Sequence, residues 1–341
     1  MNRRERQDWP QTAVFYLTGE SKMKTMHLFV VAALCAASGI TQAQTYPVKP
    51  VRIIVPFAPG GGSDYIARMI APPLTKAFGQ QFLVDNRGGA GSTLGTELAL
   101  KSPGDGYTLL LISGSYTTAP SLYKQLKYDA LNDMVPVIQT EDGPYIITVH
   151  PSLPIKTVKQ LVALAKAKPG QINYATSGAG SITHLATELF AMRTGTTFTH
   201  IPYKGTGPAV IDTVSGQTQI MVAAAAAAVP HVKSKRLVAL AVSFPKRVSA
   251  LPDVPTVMES GYKYQVNNWH GLVAPRGVPK PVIDRLNGEI NKIVKAPDFA
   301  ERIANEGLEP AGGTPEAFLG VIKREIEEWA EVIKLAKITL N

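Results

Sequence analysis

Short apolar runs alternate with amphipathic stretches along most of this chain. Val51, Ile53, Ile54 and Val55 form a β-branched run with little polar alternation, the pattern of a parallel strand buried on both faces. Pro56 and Pro59 stop the strand, and Gly60, Gly61 and Gly62 open backbone angles closed to other residues. Ser63 or Asp64 can cap a helix that begins at Tyr65 and carries Ile66, Ile70 and Leu74 on one side. Pro72-Pro73 predicts a kink or early stop in it. Further strands are predicted at 82–84, 108–112, 145–149, 172–175, 199–203, 219–222, 237–242 and 266–274. Helices are expected between them. One carries Leu94, Leu98 and Ala99, one opens on a Thr157/Gln160 capping box, one carries Leu185, Leu189 and Met192, and one has Pro208 near its start. Three close the chain: 281–294, a short one near 299–303, and a long one capped by Thr314 with an apolar stripe of Phe318, Ile322, Ile326, Trp329 and Ile333.

Strands alternating with helices predict a doubly wound α/β sheet, with ligands bound outside the carboxyl ends of the strands. Ser113 and Ser115 stand at one such end. Chain crossings near 145–149 and 266–274 imply two lobes around a cleft, one built from 44–144 and 267–341 and the other from 145–266. The turns share a composition. Gly60 to Asp64, Gly89-Ala90-Gly91-Ser92 and Gly178-Ala179-Gly180-Ser181 each join a strand to a helix start, where free backbone N–H groups point at an anion. Three such turns suggest amide cradles that converge on a small anionic ligand. The uninterrupted run Ala223 to Ala228 reads either as a helix start or as a featureless pocket wall.

The chain has 341 residues, 45% hydrophobic and 18% charged, enough for two domains with large cores. Lys22 and Lys24 precede an apolar run of 11 residues, 27–37, which is too short to span a bilayer. With the small-residue site Thr41-Gln42-Ala43, this is the pattern of a secretory signal peptide cleaved near Ala43. Met23 and Met26 are alternative starts, and residues 1–20 are set aside as an upstream extension. Cys35, the single cysteine, lies inside the signal, so disulfide and thiolate chemistry are not expected in the mature chain. Of a net charge of +9, residues 1–43 hold five basic and three acidic side chains, which leaves +7. The basic residues are scattered without aromatic interleaving, which argues against a nucleic-acid groove, while a mild positive potential favours anionic solutes.

Signatures of catalysis are missing: no G-x-S-x-G elbow, no phosphate-binding G-x-x-x-x-G-K-[ST] loop and no H-E-x-x-H is present. No nucleophile–base pairing is legible either, and no cofactor is expected. His184 and Glu188 have metal-compatible spacing, but a third ligand is not evident and no metal is expected. A dinucleotide reading draws on Gly60, Gly62 and Asp85, but Tyr65 stands where the third glycine belongs.

PFAPGGGSD, NRGGAGSTLG, YATSGAGSITHLATELF, IPYKGTGPAVIDTVSGQ and NWHGLVAPRGVPKPVIDRLN, in that order, resemble the Bug-type solute-binding receptors of tripartite tricarboxylate transporters. The likeness covers roughly 46–335. It implies a type II-like, two-lobed periplasmic binding protein, expected as a monomer, that closes on a small organic carboxylate and delivers it to transmembrane permease subunits. Enzymatic activity and nucleic-acid partners are not implied. Carried onto this chain, the resemblance has Phe57, Pro59, Gly60, Gly61, Gly62, Ser63 and Asp64 face the cleft from one lobe, with Gly89, Ala90, Gly91 and Ser92. Thr176, Ser177, Gly178, Ala179, Gly180, Ser181, His184, Tyr203, Lys204 and Gly205 face it from the other. Asp64 is the position expected to meet a ligand amino or hydroxyl group. The Ala223 to Ala228 run departs from the family pattern and leaves the ligand's distal end undefined.

Overall fold

The first apolar run forms β1 (Val51–Val55), which pairs in parallel with β2 (Phe82–Asn86) and β3 (Thr108–Ser113). The computed structural model of the chain describes residues 46–336 and 338–339; the signal peptide expected at 1–43 lies outside them. A second parallel trio is made by β5 (Asn173–Thr176) between β6 (Thr199–Pro202) and β7 (Ile220–Ala224). Two antiparallel strands join the trios, β4 (Met134–Val149) and β9 (Asn267–Pro275), in the spatial order β2-β1-β3-β9-β4-β7-β5-β6. β4 is shared: residues from Met134 to Pro144 pair with β9, and those from Tyr145 to Val149 pair with β7 on one side and β8 (Val238–Val242) on the other. The short β10 (Glu309–Pro310) lies against β4. The protein is therefore a two-lobed α/β molecule whose lobes are each a parallel core extended by antiparallel strands.

Ten α-helices are described: α1 (Gly62–Phe78), α2 (Thr93–Leu100), α3 (Gly114–Leu122), α4 (Val158–Ala167), α5 (Ile182–Thr194), α6 (Thr206–Val214), α7 (Ala225–Lys233), α8 (Lys280–Val294), α9 (Pro297–Asn305) and α10 (Pro315–Ala336). The expected stop at Pro72-Pro73 does not occur. α1 continues because the turn beyond the prolines buries Leu74 and Phe78, and Gly79 then closes it in the left-handed region. Pro72 itself sits on the solvent side. In α2 the expected apolar face is reversed: Leu94 and Leu98 are exposed, while Gly95, Thr96, Ala99 and Leu100 are buried. The helix turns its small residues inward because a Cβ on Gly95 would strike the Arg87 carbonyl and Pro56. Met192 of α5 is exposed as well. Residues 114–122, which the apolar pattern did not mark, form α3. The first part of β4 escaped detection because Pro136, Gly143 and Pro144 interrupt its apolar pattern.

Two hydrophobic cores form, one centred on Ile54, Leu110, Trp269 and Phe318 and the other on Tyr145, Tyr174, Phe190 and Tyr264. The final helix belongs to both. Phe318 and Ile322 of α10 pack in the first, with the Phe318 ring edge-on to Trp269 at 5.6 Å, while Trp329 and Ile333 pack in the second. Between them Glu325 accepts hydrogen bonds from Trp269 Nε1 (2.7 Å) and Thr117 Oγ1 (3.1 Å).

Burial pushes the Glu325 carboxyl up to about 7 despite these hydrogen bonds, and burial pushes Asp142 on β4 up to about 6. Both groups bind their proton more tightly folded than unfolded, where carboxylates titrate near 4. Their contribution is therefore full below about pH 4 and is lost as pH rises through about 6 and 7. Glu325→Gln and Asp142→Asn are each expected to raise the melting temperature at pH 8 by a few degrees and to flatten its fall between pH 5 and pH 8. Differential scanning calorimetry across that range checks this; an unchanged pH profile in both variants contradicts it.

Candidate functional site

Five helices begin at the carboxyl ends of strands and point their N-termini at one small space. α1 follows β1 through Pro56 to Gly61, α3 follows β3 directly, α5 follows β5, α6 follows β6, and α7 follows β7. The space is enclosed by Phe57, Gly62 and Ser63 from the first, Ser113 and Ser115 from the second, Ser177, Ile182 and Thr183 from the third, Thr206 from the fourth and Ala224 from the fifth. Tyr145, Asn268 and His270 of the shared strands complete the wall. The centre of a water molecule can range over about 20 Å³ of it, room for one water or the head of a carboxylate. Larger grooves, of about 340 Å³, lie elsewhere on the surface, so volume alone does not mark the site.

Among the described residues its lining contains neither arginine nor lysine. Positive potential comes from the helix ends, where backbone N–H groups lack intrahelical acceptors. Gly61, Ser113, Gly205 and Ala224, the residues that precede α1, α3, α6 and α7, provide no side-chain cap; only Ser181 caps, accepting from the His184 N–H at 3.4 Å. Asn268 is buried with its Nδ2 donor unpartnered. His270 faces Ser113 across β3 and Glu141 across β4, where a register shift between Gln139 and Glu141 brings the carboxylate opposite the imidazole. Nδ1 of His270 lies 2.5 Å from Glu141 Oε1 and Nε2 lies 3.0 Å from Ser63 Oγ. A serine, a histidine and a buried acid thus stand in the hydrogen-bonded order of a hydrolytic triad, a pairing that was not legible in the sequence.

Of the residues expected at the site, Phe57, Gly62, Ser63, Ser113, Ser115 and Ser177 reach the wall. A second group joins the lobes around it. The Ala58 N–H donates to the Lys204 carbonyl (2.9 Å), Tyr123 Oη donates to the carbonyls of Ala90 (2.8 Å) and Ala179 (3.1 Å), and Thr118 Oγ1 donates to that of Gly180 (3.1 Å). Ser115 Oγ accepts from the Ile182 N–H at 3.0 Å. Gly91 (φ 61°) lies against Ala179 and Gly178, and Gly61 lies over Thr206. Pro59, Gly60, Gly89 and Ser92 belong to the supporting loops; Ser92 takes φ 96° just before α2.

Others turn away from the site. Asp64 is neither cap nor part of this cavity: α1 starts two residues earlier, the side chain lines a separate surface groove with Gly60, Gly61 and Arg68, and its Oδ2 accepts from the Gly60 N–H and Arg68 Nε, both at 3.0 Å. Burial raises its pKa, but those hydrogen bonds outweigh it and hold the group below the usual range. His184 Nδ1 accepts from the Gly180 N–H at 3.2 Å, and its ring stacks on His200 at 4.1 Å. Burial lowers its pKa, and that of His200 to about 3, so both are neutral packing groups; Thr176 Oγ1 bonds His200 Nε2 at 2.6 Å. Glu188 accepts from Tyr174 Oη, which removes it from the metal-like pair with His184. Among the described residues no cluster of three His, Cys, Asp or Glu is placed to hold a metal ion. Tyr203 Oη donates to Asp212 at 2.7 Å, and the Lys204 side chain is exposed. Asp85 pairs with Arg52 and Arg87, not with a ribose site. The alanine run is split between the end of β7 and the start of α7, and only Ala224 reaches the cavity. Tyr145, Ile182, Thr183, Thr206, Asn268, His270 and Glu141 were missed; the polar pair Asn268 and His270 inside an otherwise apolar strand was the available signal.

The family model described as tripartite tricarboxylate transporter family receptor matches residues 66–338, and the chain belongs to this family. It is 39% identical to protein BugT of Bordetella pertussis over 316 residues, 91% of this chain and 97% of that relative. Among solved structures it is similar to Rpa4515 of R. palustris with adipate (TM-score 0.84, 33% identity, 86% of this chain and 99% of the other). It is also similar to MatC of Rhodopseudomonas palustris with bound malate (TM-score 0.82, 29% identity, 84% and 100%). Its fold is that of the two-lobed periplasmic binding proteins.

A Cβ on Gly207, the second residue of α6, would strike the Pro59 carbonyl of the opposite turn. Gly207→Ala is therefore expected to hold the turns apart without unfolding either core, so that any ligand seated between them binds at least about tenfold more weakly. Circular dichroism and calorimetry check it; wild-type affinity contradicts the close apposition.

Proposed function

We propose that the chain is an exported periplasmic receptor, acting as a monomer, that closes its lobes on a small organic carboxylate and presents it to transmembrane permease subunits. The observation that carries this reading is the convergence of five helix N-termini, four without a side-chain cap, on a cavity that holds no lysine or arginine. Each such end contributes about 0.3–1 kcal/mol toward an anion, and each hydrogen bond to a charged acceptor about 1.5–3 kcal/mol. Micromolar affinity needs about 8 kcal/mol, which this array can reach without a salt bridge. Adipate and malate in the relatives support an aliphatic dicarboxylate here, one carboxylate seated among the helix ends. A whole dicarboxylate exceeds the enclosed space, so entry requires the lobes to part. The boundary we propose falls at 144/145 and 266/267, with 44–144 and 267–341 in one lobe and 145–266 in the other, and α10 as a strut across both. The signal peptide directs export and is cleaved near Ala43.

A thermal-shift panel of mono-, di- and tricarboxylates tests the reading, since a ligand at a hundredfold its Kd stabilises by about 2.7 kcal/mol. An aliphatic dicarboxylate is expected to give the largest shift. Asn268→Leu is expected to weaken it about 10- to 100-fold by calorimetry, the loss of one charge-assisted hydrogen bond. Lys204→Met and Arg87→Met, whose side chains are exposed, are expected to change it less than about threefold. Loss of binding in either of these, with Asn268→Leu unaffected, would mean that a side-chain cation holds the ligand.

The Ser63–His270–Glu141 chain favours a second reading, hydrolysis of a carboxylate ester. A bound carboxylate is no electrophile, so this activity needs a different substrate in the same cavity. Turnover of p-nitrophenyl acetate that Ser63→Ala abolishes would support it; turnover equal in both proteins rejects it.

A further inference from the structure

The hydrogen-bond chain beneath the site fixes where protons can sit. Glu141 is fully buried; one carboxylate oxygen accepts from Thr140 Oγ1 (2.5 Å) and the other faces His270 Nδ1 (2.5 Å). Thr140 also reaches the His270 carbonyl at 3.0 Å, which ties the acid to the strand that carries the imidazole. A buried carboxylate requires its donors, so Nδ1 carries a proton and donates it to Glu141. In neutral His270 the other nitrogen, Nε2, is then a lone pair, and its partner is the Ser63 hydroxyl at 3.0 Å. Ser63 spends its proton on the imidazole and turns lone pairs toward the cavity. A carboxylate that enters meets oxygen lone pairs at that point of the wall, an unfavourable contact.

A proton on Nε2 reverses the order. The imidazolium donates to Ser63 Oγ, the hydroxyl rotates, and its hydrogen becomes a donor to the cavity. A bound carboxylate brings a negative charge to the wall beside Nε2, on the side opposite to Glu141 at Nδ1, and so favours this proton. We infer that carboxylate binding takes up one proton from solvent on His270 Nε2, and that Ser63 converts that proton into a hydrogen bond to the ligand. The step is balanced by the solvent proton alone: an N–H bond forms from the Nε2 lone pair, and the charge gained offsets one ligand carboxylate. The inference rests on the carboxylate reading of this site.

Other groups near His270 titrate too. From β4 come Glu141, Asp142 (pushed up to about 6 by burial) and Tyr145, which burial holds protonated; from β10 comes Glu309, opposite Asp142. α10 supplies Glu325, pushed up to about 7 by burial and bonded to Trp269 beside His270. β3 offers Ser113, and the first turn of α1 offers Ser63 and the Arg68-bound Asp64. Asp142 and Glu325 are the groups that could mimic the effect, and they serve as controls.

The probe is whichever of succinate, malate, glutarate and adipate gives the largest thermal shift. Calorimetry in buffers of differing ionisation enthalpy reads the protons taken up: a net uptake of up to one per ligand is expected, with Kd weakening as pH rises by at most about tenfold per pH unit. His270→Gln is expected to remove the uptake and the slope, and Asp142→Asn and Glu325→Gln to retain both. Should His270→Gln fail to fold, ¹⁵N shifts of the His270 ring in the wild-type protein carry the test, moving from neutral to imidazolium values on binding. Binding with no proton uptake, or uptake that persists in His270→Gln, overturns the inference alone. No binding by any of the four acids at any pH removes the carboxylate reading with it.

Discussion

Gathering five helix N-termini around one space, with no cationic side chain among the described residues of its wall, is the constraint on which this structure depends. Removing a carboxylate from water costs several kcal/mol unless hydrogen bonds replace its hydration. Helix ends are donors of the kind such a replacement needs. Five helices start at strand ends and leave backbone donors around one space, and four of them lack the side chain that would otherwise satisfy those donors. Asn268 adds a further unsatisfied donor. Backbone donors are already ordered by the strands and helices, so little conformational entropy is lost when a ligand arrives.

A carboxylate buried under this site needs an explanation, and the sheet register provides one. Glu141 and His270 are cross-strand neighbours because β4 shifts register just before Glu141. The acid cannot be solvated there, so it fixes the imidazole tautomer, and the imidazole in turn governs the Ser63 hydroxyl. One cross-strand pair thus links the electrostatics of the sheet to the polarity of the wall.

The lobes meet through glycine. Gly91 against Ala179, Gly205 against Ala58 and Gly207 against Pro59 are approaches that a Cβ would block, and the carbonyls of Ala90, Ala179, Gly180 and Lys204 are bonded by groups that stand apart from them in sequence. Backbone-to-backbone contact of this kind is shallow and polar, unlike the large apolar face of a fixed domain interface. α10 packs in both cores and so bridges the two lobes.

Periodicity and turn chemistry determined much of this protein directly. Eight of the strands and the second part of β4, the Thr157 and Thr314 caps and the glycine turns of the site follow from runs such as Val51 to Val55 and Ile220 to Ala224, because a buried strand must be apolar and a turn with positive φ needs glycine. Only the tertiary structure decided which turns supply the wall and which supply the contact between lobes. Asp64 and His184 look like ligand groups in the sequence, yet Arg68 and His200 occupy them. Glu141 and His270 are 129 positions apart, and a register shift in an interrupted strand brings them together. Local pattern reports burial and turn geometry, which are properties of neighbouring residues. Hydrogen-bond partnership across a sheet depends on register, which is set by the packing of the whole fold.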